Sequence, residues 1–227
     1  MGALIVGAGA GLSASLAQLF AGHGLAVALA ARNPDRLAPL CAQTGAMAHR
    51  CDATQPEEVV KLFEQVAAGQ GDPEIVVFNA SARAAGPTAE LDPARVANAI
   101  AISAFAGFLV AQQAARRMLA HGSGTILFTG ASASVKGYPR SAAFAMGKFA
   151  LRGLAQSLAR ELAPQGIHVA HFVIDGGIRS ATRVDPADNP DSLLDPDAIA
   201  ETYWQVIRQP RSAWTWEMEL RPWVERF

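Results

Sequence analysis

A strand, a glycine-rich turn and a helix follow one another in the first two dozen residues, and this order strongly constrains the fold. Residues 3–6 are apolar, Gly7-Ala8-Gly9-Ala10-Gly11 form the turn, and apolar side chains then recur at Leu12, Leu16 and Phe20. Because glycine lacks a side chain, the amides of such a turn can approach an anion closely, and the helix N-terminus adds unpaired N–H groups. The segment therefore predicts a cradle for a nucleotide phosphate.

The spacing of the glycines indicates which kind of turn this is. The pattern G-x-G-x-x-G is not met, because Leu12 stands in the place of the third glycine. A G-x-x-x-G-x-[GS] pattern fits instead, on Gly7, Gly11 and Ser13. The residues expected to bind the nucleotide are Gly7, Gly9, Ala10, Gly11, Leu12 and Ser13. The alternative is a tight strand-to-helix turn that binds nothing.

Apolar runs alternate with helical patterns along the rest of the chain. Further strands are predicted at 26–31, 46–50, 74–78, 124–129 and 167–174. Helices are predicted at 34–41, 56–68, about 92–120, about 141–162 and about 198–208. This β-α repetition predicts a single-domain, doubly wound (Rossmann-type) α/β fold over residues 1–227, with helices on both faces of a parallel sheet. Ligands of such folds bind at the carboxyl ends of the strands.

Composition argues against several classes of function. With 51% hydrophobic and 17% charged residues, a chain of 227 residues can bury one sizeable core. The formal net charge of −1 gives no basic surface for nucleic acid or for an anionic membrane. Cys41 and Cys51 form no C-x-x-C pair, and the histidines are scattered, so no metal site is predicted. A small-molecule substrate is the expected partner.

One uncharged stretch, 96–115, is as long as the ~20 residues that a membrane-spanning helix needs. Polar residues interrupt it and Arg116-Arg117 follow it, which favours a buried helix that ends in cations. Met1 stands one residue before the first strand, which leaves no room for a secretory leader. We therefore expect a cytoplasmic protein.

Polar residues follow the second, third and fourth predicted strands. After the second strand comes Arg32-Asn33 rather than an acid, roughly 25 residues past Gly7 and near the position that reads the cofactor ribose. A guanidinium there can pair with a 2′-phosphate, which favours NADP(H) over NAD(H); the alternative is an exposed arginine before a helix. Asp52-Ala53 and Asn79-Ala80-Ser81 follow the next two strands. Asp52 as a helix cap and Asn79 as a turn former are the alternatives.

Taken together, these segments resemble the short-chain dehydrogenase/reductase family over essentially the whole chain. The matching segments are the turn 7–13, Cys51-Asp52, Phe78-Asn79-Ala80-Ser81, Ile126-Leu127-Phe128-Thr129, Lys148, Ile167-His168-Val169-Ala170 and Asp175-Gly176-Gly177-Ile178. The resemblance implies an NAD(P)-dependent oxidoreductase. It places Asp52 by the adenine, Asn79 and Ala80 by the adenosine ribose, Ile178 by the nicotinamide amide, and Lys148 by the nicotinamide ribose.

The same resemblance identifies an unusual catalytic region. The family uses a tyrosine four residues before the lysine as proton donor, because reduction of a carbonyl places negative charge on its oxygen. In this chain that position is Phe144, which cannot donate a proton. Ala131 stands at the family's serine position and Ser103 at its asparagine position. The expected catalytic residues are Lys148, with Ser132 and Tyr138 as substitute donors; Ser134, by a register change, and Asp175 are further candidates.

Three functions are consistent with this sequence. The first is an NADP(H)-dependent reductase of a small carbonyl, imine or activated alkene that works without the usual tyrosine acid. The second is a catalytically silent NADP-binding sensor or assembly subunit. The third is a non-redox lyase or isomerase on the same fold.

The C-terminal third predicts a lid and an interface. Residues 180–197 are rich in proline and aspartate, as in loops that cover a pocket, although a solvated connection is an equal alternative. Residues 212–220 alternate like a strand and begin an aromatic tail, 212–227, that contains Trp214, Trp216, Trp223 and Phe227. This aromatic surface predicts a homodimer or homotetramer, with packing inside the chain as the alternative.

Overall fold

Seven strands pair in parallel in the computed structural model, which describes residues 1–225, and their order is β3-β2-β1-β4-β5-β6-β7. The strands are β1 (Gly2–Val6), β2 (Ala26–Ala31), β3 (Met47–Arg50), β4 (Ile75–Phe78), β5 (Gly124–Thr129), β6 (Ile167–Ile174) and β7 (Glu217–Leu220). The α-helices are α1 (Leu12–Gly22), α2 (Ala38–Thr44), α3 (Pro56–Gln70), α4 (Pro93–Ile100), α5 (Ala106–His121), α6 (Ala142–Leu162) and α7 (Pro196–Ile207). The predicted doubly wound α/β fold is confirmed.

The two faces of the sheet carry separate cores because side chains alternate along each strand. In β1, Leu4 and Val6 pack with residues of α3, α5 and α6. Ala3 and Ile5 pack on the opposite side with residues of α1, α2 and α7. The central strands are therefore covered on both faces, which explains why they read as continuous apolar runs.

Strand order reverses at β1, which pairs with β2 on one side and with β4 on the other. The connections after β1 and β4 consequently leave the sheet in opposite directions and open a crevice at its carboxyl edge. The segments that begin at Gly7, Arg32, Cys51 and Asn79 all meet there. In the sequence these segments are separated by up to about seventy residues, and the pairing of the strands brings them together.

Two predicted helices are more complex than their sequence patterns. A 3-10 turn, Pro34–Leu37, precedes α2, and Pro39 in the first turn of α2 lacks the N–H that a continuous helix would use there. The long helix predicted at 92–120 contains a π turn, Ala101–Phe105, between α4 and α5. This 29-residue helical segment is long and apolar enough to cross a membrane. Val110, Ala114 and Met118 are nevertheless buried in the core, as expected for the interior helix of a globular domain.

The C-terminal strand is shorter than predicted. Arg211–Ala213 form a 3-10 turn, and only Glu217–Leu220 pair with β6. Trp214 stacks on His168 and donates its indole N–H to the Gln209 carbonyl oxygen, and Trp216 lies beside Arg152. Side-chain packing holds these two aromatic residues, and the Trp216 carbonyl oxygen also accepts the His171 N–H of β6 at 2.8 Å. The aromatic side chain of Trp223 is exposed, and Phe227 lies outside the described residues.

Candidate functional site

The glycine turn is held against the end of β4. Gly7 has φ +85°, and a Cβ at this position would lie 2.4 Å from the backbone nitrogen of Ala80. Only glycine both adopts this positive φ readily and leaves room for the main chain of Ala80. Asn79 Nδ2 donates to Ser13 Oγ at 2.6 Å, and Ser13 Oγ donates to the Gly7 carbonyl oxygen at 3.4 Å. Ser13 and Asn79 therefore fix the turn from behind.

A cavity of about 550 Å³ opens at the carboxyl edge of β1, β2, β3 and β4. Ten of the fifteen residues expected to bind cofactor line it: Gly7, Gly9, Ala10, Arg32, Asn33, Asp52, Ala53, Asn79, Ala80 and Ser81. The other lining residues, which the sequence patterns did not single out as binders, include Arg36, Thr54, Ile102 and Ala106. Arg36 lies four residues after Arg32, in the 3-10 turn Pro34–Leu37, a spacing that was visible in the sequence.

Five expected binding residues lie elsewhere. Leu12 and Ser13 are buried in the first turn of α1, behind the glycine loop, and Gly11 caps that helix. Lys148 is a buried residue of α6, and Ile178 forms an isolated bridge with Leu194. None of the residues that line this cavity within residues 1–225 belongs to the predicted lid, 180–197. The cavity thus coincides with the part of the site where the family resemblance places the adenosine, and not with the predicted reacting end.

The shape and charge of this edge fit a phosphorylated nucleotide. A Cβ built on Gly9 or Gly11 would meet no atom within 4 Å, so the fold itself leaves the space above these amides open. The first turn of α1 carries no acidic residue that would neutralise the helix N-terminus. Arg32 and Arg36 contribute positive charge to the rim of the cavity. The backbone amides and these guanidinium groups would hold the phosphates.

Asp52 is kept ionised at the wall of the cavity. The Thr54 hydroxyl and amide N–H donate to Asp52 Oδ1 at 2.7 and 3.0 Å. These hydrogen bonds, together with the charges of Arg32 and Arg50, lower the pKa of the Asp52 carboxyl, against an opposing effect of burial. Its main-chain N–H donates to Glu58, and the helix that follows begins at Pro56 rather than at Asp52. Asp52 is therefore a hydrogen-bond acceptor at the cavity and not a helix cap.

Lys148 occupies a buried position below the reacting end of the predicted site. Its Nζ donates to the Thr129 carbonyl oxygen at 2.7 Å. The Thr129 hydroxyl in turn lies 2.9 Å from the Tyr203 hydroxyl, which connects the end of β5 to α7. Burial, followed by the nearby charge of Arg83, lowers the pKa of Lys148 to about 7.

Phe144 lies one helical turn before Lys148 on the same face of α6. Its ring is 7% exposed, and Lys148 Nζ lies 5.9 Å from the ring centroid. The Arg83 guanidinium lies over the same ring at 4.1 Å. Arg83 follows β4 in a loop, and no pattern in the sequence pointed to it.

The other candidate catalytic residues differ in their availability. Ser134 is buried, and its Oγ accepts a hydrogen bond from the Ala131 N–H at 3.1 Å, so its role is to close the turn after β5. Asp175 is also buried and forms an ion pair with Lys136 at 2.8 Å, which removes it as a free proton donor. Ser132 begins the 3-10 turn Ser132–Ser134, and Tyr138 is exposed in the loop before α6.

Comparisons with known proteins agree with this architecture. The family model for short chain dehydrogenase matches residues 2–190. "Short chain aldehyde dehydrogenase 1" of Euphorbia lathyris is 30% identical over 179 residues, which is 74% of this chain and 60% of that protein. The chain thus spans less than two thirds of the length of that relative.

Two solved structures extend the similarity to the whole chain. A short-chain dehydrogenase from Rhodopseudomonas palustris is 38% identical, with a TM-score of 0.86, and the match covers 98% of each chain. An alcohol dehydrogenase from the archaeon Thermococcus sibiricus, in complex with 5-hydroxy-NADP, has a TM-score of 0.87 at 24% identity. That match covers 99% of this chain and 97% of the archaeal one, and it shows likeness of fold alone.

Proposed function

The chain belongs to the short-chain dehydrogenase family, and from this premise we propose that it is an NADP(H)-dependent oxidoreductase. Its substrate is a small carbonyl, imine or activated alkene. The observation that carries the proposal is the cavity in which the glycine loop, Arg32 and Asp52 meet at one edge of the sheet. When bound, the reduced nicotinamide supplies a hydride. The residues of this chain bind the cofactor, orient the substrate and supply the proton.

The preference for NADP(H) rests on charge. Arg32 and Arg36 both line the cavity at the end of β2, where a cofactor with a 2′-phosphate would present its additional negative charge. The ionised Asp52 lies farther along the same wall and is engaged by Thr54.

Titration with NADPH and NADH tests the cofactor proposal. We expect Arg32→Ala to raise the Kd for NADPH by about tenfold or more, because a charge-assisted contact to the 2′-phosphate is lost. The Kd for NADH should stay unchanged, and Arg160→Ala, at an exposed arginine of α6, should alter neither value. Failure of the wild-type protein to bind either nucleotide would overturn the proposal. An equal effect of Arg32→Ala on both cofactors would overturn the preference.

The proton side of the reaction departs from the arrangement that the family resemblance implies. Phe144 holds the position of the usual acid, and its ring supplies no proton. Of the substitute donors, Ser132 and Tyr138 remain, because Asp175 is paired and Ser134 is hydrogen-bonded within its turn. Lys148 keeps the positioning role beside the nicotinamide ribose that the family resemblance implies. Iminium ions and activated alkenes suit such a site because they need no acid at position 144.

Restoring the phenol tests this assignment. We expect the wild type to oxidise NADPH with iminium or activated-alkene substrates. Phe144→Tyr should gain ketone reduction of about 100-fold, the usual contribution of a positioned acid. Rates are followed by NADPH absorbance, with Phe149→Tyr on the exposed face of α6 as the control. Ketone turnover in the wild type that survives both Ser132→Ala and Tyr138→Phe would eliminate these two residues as donors.

Phe144 also favours one alternative, a catalytically silent NADP-binding sensor or assembly subunit. A buried benzyl ring at the acid position is compatible with tight cofactor binding that never leads to turnover. NADPH binding without oxidation of any substrate, in the wild type and in Phe144→Tyr, would favour this function. Activity without net consumption of NADPH would instead favour a lyase or isomerase.

We further propose that the protein is a cytoplasmic homo-oligomer that acts on a small molecule rather than on nucleic acid or a membrane. Trp214 and Trp216 of the aromatic tail pack within the chain, whereas Trp223 is exposed. A second surface that supports self-association is an apolar face on α5, α6 and the π turn. Its exposed side chains are Phe105, Phe108, Met146 and Phe149.

A further inference from the structure

Thr129, the last residue of β5, joins two helices that lie on opposite faces of the sheet. Its carbonyl oxygen accepts a hydrogen bond from Lys148 Nζ at 2.7 Å, and its hydroxyl lies 2.9 Å from the Tyr203 hydroxyl. Lys148 belongs to α6, which packs into the core on one face. Tyr203 belongs to α7 and to the core on the other face. A hydrogen-bonded connection therefore runs from α7 to the amine at the reacting end.

All three residues of this connection are buried. Tyr203 is 0% exposed, Lys148 3% and Thr129 7%. Buried polar groups that lose a protein partner do not readily regain a hydrogen bond from water, so each of these contacts matters for the position of its neighbour. Burial raises the pKa of Tyr203, against an opposing effect of its hydrogen bond with Thr129, so the phenol stays protonated at physiological pH. Tyr203 is thus a hydrogen-bonding group here and not an acid or a base.

The Tyr203 ring is held in register with the end of β5. It stacks on Phe172 with 3.6 Å between the ring centroids and 13° between the planes. Phe172 is the β6 partner of Thr129, and its carbonyl oxygen accepts the Gly130 N–H at 2.7 Å. The stacking and the strand pairing together fix the Tyr203 hydroxyl relative to Thr129.

The Thr129 carbonyl oxygen matters more in this chain because α6 has no hydroxyl one turn before Lys148. Phe144 occupies that place, and Lys148 Nζ lies 5.9 Å from its ring centroid, near the outer limit of a cation–π contact. Within residues 1–225 the hydrogen bond to Thr129 is the single one formed by Lys148 Nζ. The position of the amine is therefore set by the main chain at the end of β5.

We propose that Tyr203 is a positioning residue, which fixes the Lys148 amine through Thr129 at the place where it meets the ribose of the nicotinamide. The inference rests on the proposed cofactor-dependent function and deepens it by giving a role to a tyrosine on the far face of the sheet. Thr129, Lys148 and Tyr203 do not line the cavity at the adenosine end. Loss of the Tyr203 hydroxyl should consequently weaken binding at the nicotinamide end alone.

Two ligands separate the two ends of the site. NADP+ and adenosine 2′,5′-bisphosphate, which lacks the nicotinamide and its ribose, are titrated calorimetrically into the full chain. We expect Tyr203→Phe to raise the Kd for NADP+ by about fivefold, the usual effect of one hydrogen bond, and to leave the Kd for the bisphosphate unchanged. Thr129→Val removes the same hydrogen bond from the other side and should give the same result.

Thr202→Val is the matched control for the loss of a hydroxyl. Thr202 precedes Tyr203 on α7, and its hydroxyl donates to the Ala198 carbonyl oxygen within the helix. This variant should alter neither Kd. Retained binding of the bisphosphate in Tyr203→Phe and Thr129→Val also shows that both variants are folded.

A double-mutant cycle tests whether Tyr203 acts through Lys148. In a Lys148→Met background, Tyr203→Phe should change the Kd for NADP+ by less than about twofold, because the amine that Tyr203 positions is absent. The chain has three lysines, Lys61, Lys136 and Lys148, so their signals can be assigned by NMR after labelling with ¹⁵N-lysine. In the cofactor-free protein, Tyr203→Phe should move the Lys148 signal and leave that of the exposed Lys61 in place.

The outcomes distinguish this inference from the proposed function. An unchanged Kd for NADP+, an equal loss of affinity for both ligands, or a full effect in the Lys148→Met background would overturn the positioning role. An unmoved Lys148 signal would overturn it as well. Failure of the wild type to bind either ligand would overturn the proposed function, and the Lys148 signal would still decide whether Tyr203 positions the amine.

Discussion

His171, in the middle of β6, is fully buried, and its Nδ1 lies 3.1 Å from Glu217 Oε2. Within residues 1–225 its Nε2 has no hydrogen-bond partner, and a Cβ on Gly130 would lie 2.3 Å from this atom. Burial is the main effect that lowers the pKa of His171, to about 4, and the charges of Lys148 and Arg152 act in the same direction. The charge of Glu217 and its hydrogen bond to His171 raise this pKa and so oppose the other effects.

This histidine predicts acid sensitivity. In the unfolded chain His171 binds a proton near pH 6.5, whereas in the folded chain its lowered pKa keeps it neutral down to about pH 4. The free energy of unfolding should therefore fall as the pH falls from about 6.5 towards 4, by at most about 3 kcal/mol. Urea unfolding of the cofactor-free protein at several pH values measures this loss.

His171→Gln serves as the comparison, because glutamine is neutral throughout this range. Its unfolding free energy should depend less steeply on pH between about 7 and 5 than that of the wild type. Burial raises the pKa of Glu217, but Arg152 lowers it more, so Glu217 contributes acid sensitivity in the same direction below this range. Identical slopes in the two proteins would show that His171 is not the source.

At the scale of single elements, the segment between β6 and α7 is organised by one arginine. Arg179 pairs with Asp185 at 2.8 Å, Asp195 at 3.2 Å and Asp191 at 3.8 Å. Asp185 Oδ1 accepts the Leu193 N–H at 2.8 Å, and Asp195 caps α7 by accepting the Asp197 N–H. The predicted lid is therefore a folded loop around a central cation.

Removing this cation should loosen the loop without unfolding the sheet. In Arg179→Gln we expect amide hydrogen exchange in residues 180–195 to accelerate by about tenfold, because several charge-assisted contacts are lost together. Exchange in β4 and β5 should not change. Arg208→Gln, after the end of α7, is the control, and equal exchange in both variants would contradict the central role of Arg179.

At the scale of the whole molecule, an exposed apolar face lies on α5, α6 and the π turn. Phe105 and Phe108 stack at 6.3 Å, and Met146 and Phe149 are exposed on the neighbouring helix. A second copy of the chain could bury this face symmetrically against its own equivalent, as in a two-fold dimer. The near-zero net charge offers little repulsion to such an association.

Changing two aromatic residues of this face tests self-association. We expect the wild type to sediment as a dimer or tetramer, and Phe108→Asp combined with Phe149→Asp to sediment as a monomer, because each new charge would have to be buried unpaired. Val184→Asp, at an exposed apolar residue of the loop before α7, should not alter the mass. A monomeric wild type at all concentrations in analytical ultracentrifugation would contradict the proposal.

The sequence determined the architecture of this protein and the cofactor edge of its site. Apolar periodicity and the glycine turn are local signals, and the carboxyl ends of parallel strands necessarily lie at one edge, so Arg32, Asp52 and Asn79 could be placed together in advance. The same reasoning identified Phe144 and Lys148 as neighbours, because a separation of four residues brings two side chains onto one face of a helix.

Only the tertiary structure decided what surrounds those residues. Arg83 reaches Phe144 because Ser103 and Gly147, distant in sequence, let a loop approach α6, and no local pattern encodes such a contact. The tertiary structure likewise placed Ser13 behind the glycine loop, paired Asp175 with Lys136, and began β7 at Glu217. In each case the decisive contact joins residues that lie far apart along the chain. Tertiary packing, rather than local propensity, therefore decides which contact forms.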